Sequence, residues 1–114
     1  MAVSYTSAKL ASLRPANTTE VELYVVPAST EIDAVFYICN QDTSDRTFRV
    51  AFCTAGHGDV AADGDDFVFY DKPILANDTQ TLSISGEATT TIRVRASIAD
   101  KLSFVLMGKK KVTS

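Results

Sequence analysis

Phe67-Val-Phe-Tyr-Asp-Lys-Pro-Ile-Leu-Ala-Asn-Asp-Thr-Gln-Thr-Leu-Ser-Ile84 contains the two parts from which the rest of the chain is built, a run of strand-forming residues and a short polar corner. Phe67 to Tyr70 are all aromatic or β-branched, which suits a strand packed on both faces. Pro73 fixes its own φ, brings no ladder donor and biases Lys72 toward extended geometry, so the run is expected to stop there without becoming a helix. Asn77 and Asp78 supply the next turn. From Thr79 polar and apolar residues alternate through Leu82 and Ile84, the period of a half-buried strand.

The same alternation recurs on both sides of this stretch. Upstream, Val21, Leu23 and Val25 alternate with Glu22, Tyr24 and Val26 until Pro27 stops the run. Ile32, Ala34, Phe36 and Ile38 alternate with Asp33, Val35, Tyr37 and Cys39, forming the longest expected strand, placed centrally. Asn40 to Asp45 is a polar turn, and Phe48, Val50 and Phe52 follow on one face of the next strand. Downstream, Ile92, Val94 and Ala96 alternate with Thr91, Arg93 and Arg95, and Leu102, Phe104 and Leu106 follow the turn at Ala99 to Lys101. Seven to eight short strands, no helical period and no crossover helices predict an all-β fold, an antiparallel β-sandwich, with a small β-barrel as the alternative. Residues 1–18 read as an N-terminal arm with room for a short strand, 19–108 as the sandwich domain and 109–114 as a basic, frayed tail.

A chain of 114 residues, 46% of them hydrophobic, fits one domain that buries close to two-thirds of its unfolded surface. The formal net charge of −3 argues against nucleic acid as partner, because such binding rests on clustered Lys and Arg against phosphate. The first residues lack the basic and apolar regions of a secretory signal, and no run approaches the ~20 apolar residues that span a bilayer. A soluble product made in the cytosol, with no membrane partner, is therefore expected. Cys39 and Cys53 fall in successive strands. If these pair as a hairpin about Thr43, the sulfurs lie about six residues, or roughly 20 Å, apart, beyond disulfide reach, so free thiols are expected.

Several strands carry apolar residues on the side opposite the core: Tyr24 and Val26, Val35 and Tyr37, Val68 and Tyr70, Val105 and Met107. One sandwich does not need these, and a monomer rarely leaves a large contiguous apolar patch in water. They are the expected partner-binding residues, facing other proteins or further copies of the chain in a homo-oligomer.

Candidate catalytic chemistry is sparse. His57 is the single histidine, set between two glycines with no serine or cysteine in a nucleophile motif beside it. Asp59, Asp63, Asp65 and Asp66 gather carboxylates in the long Thr54 to Asp66 segment. They lack the order and closing glutamate of a calcium loop, and read as a solvated loop. No enzyme activity, metal or cofactor is expected, and Lys109 to Lys111 read as solubilising.

The ordered series Leu23-Tyr-Val-Val-Pro27, Ile38-Cys-Asn40, Phe48-Arg-Val-Ala51, Tyr70-Asp-Lys-Pro-Ile74, Ala76-Asn-Asp-Thr79, Ile92-Arg-Val94 and Leu102-Ser-Phe104 with Gly108 resembles a family of small virion structural proteins of tailed bacteriophages. The resemblance covers about Val21 to Gly108 and departs at Gln41 and in the Ser85 to Thr90 turn. It implies a β-sandwich subunit present in many copies in the virion, as capsid decoration or as a neck or tail component. Its partners would be a major capsid, neck or tail protein, and it brings no catalytic residues. A baseplate accessory protein, a carbohydrate-binding module with Tyr24, Tyr37 and Tyr70 gathered on one rim, and a host-modulating protein are the alternatives.

Overall fold

A computed structural model of the chain describes residues 2–53 and 66–113. The described residues form eight strands: β1 (Val3–Leu13), β2 (Val21–Val25), β3 (Thr30–Asn40), β4 (Arg46–Cys53), β5 (Phe67–Ile74), β6 (Thr79–Gly86), β7 (Thr91–Ala96) and β8 (Leu102–Thr113). They form two four-stranded sheets, sheet A in the order β1-β8-β3-β6 and sheet B in the order β2-β7-β4-β5, with every pairing antiparallel. Only β4 and β5 are consecutive neighbours within one sheet, and each other connection crosses between sheets. This is an open sandwich with the strand order of a jelly roll, not a closed barrel.

The alternating residues of the interior strands supply the core. Ile32, Phe36 and Ile38 of β3 and Leu102, Phe104 and Leu106 of β8 face Phe48 and Val50 of β4 and Ile92 and Val94 of β7, all buried. An aromatic chain ties the layers together: Phe36 meets Phe104 at 6.1 Å, Phe104 meets Phe48 at 6.4 Å and Phe48 meets Phe69 at 5.2 Å, all edge to face. Gly108 lets β8 lie close against β3, since a Cβ there would overlap the Asp33 carbonyl oxygen and Ala34.

Several expectations need correction. β3 and β4 are not a hairpin: β3 belongs to sheet A and β4 to sheet B. Cys39 and Cys53 are free, as expected, but because Cys39 lies on the face of sheet A turned away from sheet B, which carries Cys53. Asn40 makes the crossover possible. Its buried amide donates to the carbonyls of Ser44, Ile74 and Leu75 at 3.0, 3.2 and 3.2 Å and its carbonyl accepts from Asp42 N–H at 2.9 Å.

The segment expected as an arm contains an eleven-residue strand at the edge of sheet A. The segment expected as a frayed tail is the end of β8, paired with β1 as far as Thr113 and with β3 as far as Val112. β8, at 12 residues, is longer than β3. The Phe67 strand, the edge of sheet B, is not covered on both faces, because in a two-layered sandwich each sheet buries only the face turned to the other. Pro73 lies inside it, opposite Thr47, where an edge strand tolerates the missing donor.

Candidate interaction surface

Period-2 alternation puts the odd-numbered residues of β3 and β8 on the face of sheet A that points away from the core. There the register sets Val35 directly opposite Met107 and Tyr37 directly opposite Val105. The four side chains therefore form one contiguous apolar patch on the two interior strands. Tyr37 is 37% and Met107 47% exposed, while Val35 and Val105 are half-buried. Thr81 and Ser83 of β6 flank it on one side, Lys9 and Ser12 of β1 on the other. Toward one end the same face turns charged, with Asp33 opposite Lys109 and Glu31 opposite Lys111. Toward the other, Cys39 stands opposite Ser103.

The outer face of sheet B is built differently. Arg49 donates to both carboxylate oxygens of Asp71, at 2.7 and 3.1 Å, and its guanidinium lies 4.0 Å from the Tyr70 ring centroid. Arg95, opposite Arg49 in the register, comes within 4.0 Å of the same carboxylate, and Arg93 pairs with Glu20 at 2.7 Å. The Arg49 hydrogen bonds hold the Asp71 carboxyl below its ordinary value of 3.8 and raise Arg49 in turn. Phe67 packs edge-on against Tyr70 at 5.1 Å. These groups satisfy one another within the chain.

Of the eight residues expected to bind partners, only Val35, Tyr37, Val105 and Met107 come together. Val68 and Tyr70, 47% and 60% exposed, stand on the edge strand of the other sheet. Val26 is wholly buried in the core and Tyr24 packs against it, its phenol pushed up by burial. The cause is a break in register between Glu22 and Tyr24, which reverses the facing of every later residue of β2. Val25, expected inside, is thereby 40% exposed. Tyr24, Tyr37 and Tyr70 thus share no rim, and the carbohydrate-binding alternative loses the aromatic cluster it required. Sequence reading missed Tyr5, 63% exposed on β1 with Lys109 Nζ 6.0 Å from its ring centroid. The signal was there in the alternation of Val3, Tyr5, Ser7 and Lys9, obscured because neither face of that segment is covered.

His57, Asp59, Asp63 and Asp65 lie outside the described residues. Asp66 accepts the Phe52 N–H through its backbone carbonyl at 3.0 Å. The Cys53 thiol is pushed up to about 11, first by burial and then by the charge of Asp66, so it stays protonated at neutral pH. Among the described residues no three His, Cys, Asp or Glu side chains gather as a metal site, and no helix is long and apolar enough to cross a membrane.

No protein-family model matches the chain, and no curated protein matches it by sequence. Solved structures do match its fold. One, from the disulfide-linked pili that form Bacillus endospore appendages, has a TM-score of 0.60 at 15% identity over 97% of this chain and 88% of that one. Another, the coat protein of Tobacco streak virus, has a TM-score of 0.52 at 12% identity over 97% of this chain and 86% of that one. At such identities the likeness is one of fold.

Proposed function

We propose that this protein is a non-enzymatic structural subunit of a tailed-phage particle, present in many copies as a decoration or cement protein on other virion proteins. The observation that carries this reading is the Val35, Tyr37, Val105 and Met107 patch. It occupies the middle of a sheet face, lies on the two interior strands and is rimmed by hydroxyls and charges, the layout of an interface core with a polar rim. The ordered motifs from Leu23 to Gly108 support the phage assignment. The fold shared with a viral coat protein and with a protein of disulfide-linked pili supports a building-block role. The partner is a major capsid protein, or a neck, tail or baseplate protein if the copy number is low.

Quantitative mass spectrometry of purified particles tests the assignment. The chain is expected among the virion proteins, and its absence from particles would refute the reading in favour of a host-modulating role. Tyr37→Glu with Met107→Glu puts two charges into the patch. This variant should fold with an unchanged far-ultraviolet spectrum and yet fall at least about tenfold in particle incorporation, a loss of about 1.4 kcal/mol or more in binding.

A further inference from the structure

The two sheets treat their edges in opposite ways. In sheet B, β2 is only five residues long, breaks register and ends near Pro27, while β5 carries Asp71, Lys72 and Pro73 and slips register twice against β4. Short length, charge, proline and bulges are the devices that keep a sheet edge from pairing with another chain. Sheet A has none of them over two long segments. From Thr79 to Gly86, β6 has no charge, no proline and an unbroken register with β3. From Val3 to Ala8, β1 is likewise uncharged and regular, and it is exposed on both faces.

The hydrogen bonds also fix which main-chain groups face outward. Asn40 N–H donates to Asp78 O at 2.9 Å, which makes the even-numbered residues of β6 the ones bonded to β3. Thr79, Thr81, Ser83 and Ser85 therefore point their N–H and C=O groups at the free edge. Thr113 N–H donates to Ser29 O and Gln41 N–H to Lys101 O, so odd-numbered residues of β8 bond to β3 and even-numbered ones to β1. Val3, Tyr5, Ser7 and Lys9 consequently direct theirs outward.

We propose that copies of this chain join edge to edge, β1 of one against β6 of the next, so that sheet A runs on from subunit to subunit. Three features select this partner. β1 and β6 run in opposite directions, because sheet A is antiparallel with an even number of strands. Copies in the same orientation therefore meet in antiparallel pairing. The outward-pointing residues on both edges are odd-numbered and share the outer face, so Tyr5 meets Thr81, Ser83 or Ser85 with matched facing, a favourable aromatic or hydroxyl pairing. The sheet is also charged unequally from side to side: Lys109, Lys110 and Lys111 back β1, while Asp33 backs β6 and Glu87 follows it. Joining β1 to β6 brings basic to acidic, whereas β1 to β1 or β6 to β6 brings like to like. Such a head-to-tail contact closes into a ring or continues as a filament, and it leaves the apolar patch of every copy on one side.

The inference rests on the multi-copy reading above but fails separately from it. Sedimentation velocity on the full chain over a concentration series, with melting curves to verify folding, is the measurement. Ser83→Pro and Ser7→Pro each remove one edge donor and leave the internal ladders intact, and Ser83→Lys and Ser7→Lys serve if a proline variant fails to fold. The wild type is expected to assemble, and each variant to weaken assembly more than about tenfold. An equimolar mixture of the β1-blocked and β6-blocked variants should stop at dimers, because only one complementary pair of edges remains. A wild type that stays monomeric throughout, or a Ser83 variant that assembles as the wild type does, overturns the proposal. A monomeric chain found in particles would sink the edge contact alone, and edge-dependent assembly by a chain absent from particles would sink the virion assignment alone.

Discussion

Asn40 shows how much one side chain does in the crossover between sheets. Its amide has two hydrogens for the carbonyls of Ser44, Ile74 and Leu75, so at least one hydrogen is shared, and the Asn40 side chain itself is wholly buried. A carboxylate of the same shape would put an acceptor oxygen where the amide nitrogen faces those carbonyls, while its other oxygen kept the Asp42 N–H. Asn40→Asp should therefore lose about 3 kcal/mol of stability at neutral pH, and Asn40→Ala about 2, read as shifts in the urea midpoint at unchanged slope. Equal stability of Asn40→Asp and wild type would show that the amide hydrogens are not what the site needs. The sequence identified Asn40 as the start of a turn, because short polar side chains bond nearby backbone. Its second role was illegible, since two of the carbonyls it holds lie 34 and 35 residues away.

Single elements were legible where alternation is unbroken and one face is covered. β3, β4, β6, β7 and β8 present the expected residues to the core, because a buried face fixes register and register fixes every side chain. β2 was misread because a bulge inserts one residue and reverses facing without disturbing composition, and β5 because a run of four apolar residues reads alike whether one face is covered or both. The bulge in β2 predicts an inversion of what alternation alone would say. Val26→Ala should cost about 2 kcal/mol and Val25→Ala close to nothing, measured by urea unfolding, and the opposite order would place the register break elsewhere. In β5 the first of the two breaks against β4 falls at Asp71, whose φ of 51° is left-handed and whose carboxylate is held by Arg49. Its carboxyl titrates below the ordinary value of 3.8, so the stabilisation is complete above that value and disappears as pH falls through the lower folded one. Unfolding midpoints taken from about pH 5 downward should thus fall more steeply for wild type than for Asp71→Asn. Parallel profiles would mean that the pair contributes nothing, as many exposed pairs do.

At the scale of the whole molecule, sheet A outreaches sheet B: its strands run to 11 and 12 residues where β2 and β7 have 5 and 6. The excess is the ribbon of β1 and β8, and its sequence gave no core signal because from Val3 to Lys9 it has no core to face. That division within β1 permits a cut that separates folding from association. Leu10, Ala11 and Leu13 pack on the core, so a chain without residues 2–13 loses apolar burial and exposes the full length of β8 as a new edge. It should melt well below wild type, by the several degrees that ~1–2 kcal/mol represents in a domain this size. A chain without residues 2–9 keeps those contacts, and β8 remains paired to β3 through Val112. It should melt close to wild type and yet sediment as a monomer, because the segment removed is the open edge and not the support. If this shorter truncation assembled as the intact chain does, β1 would be a strand of the fold alone and the joint between copies would have to lie on a face.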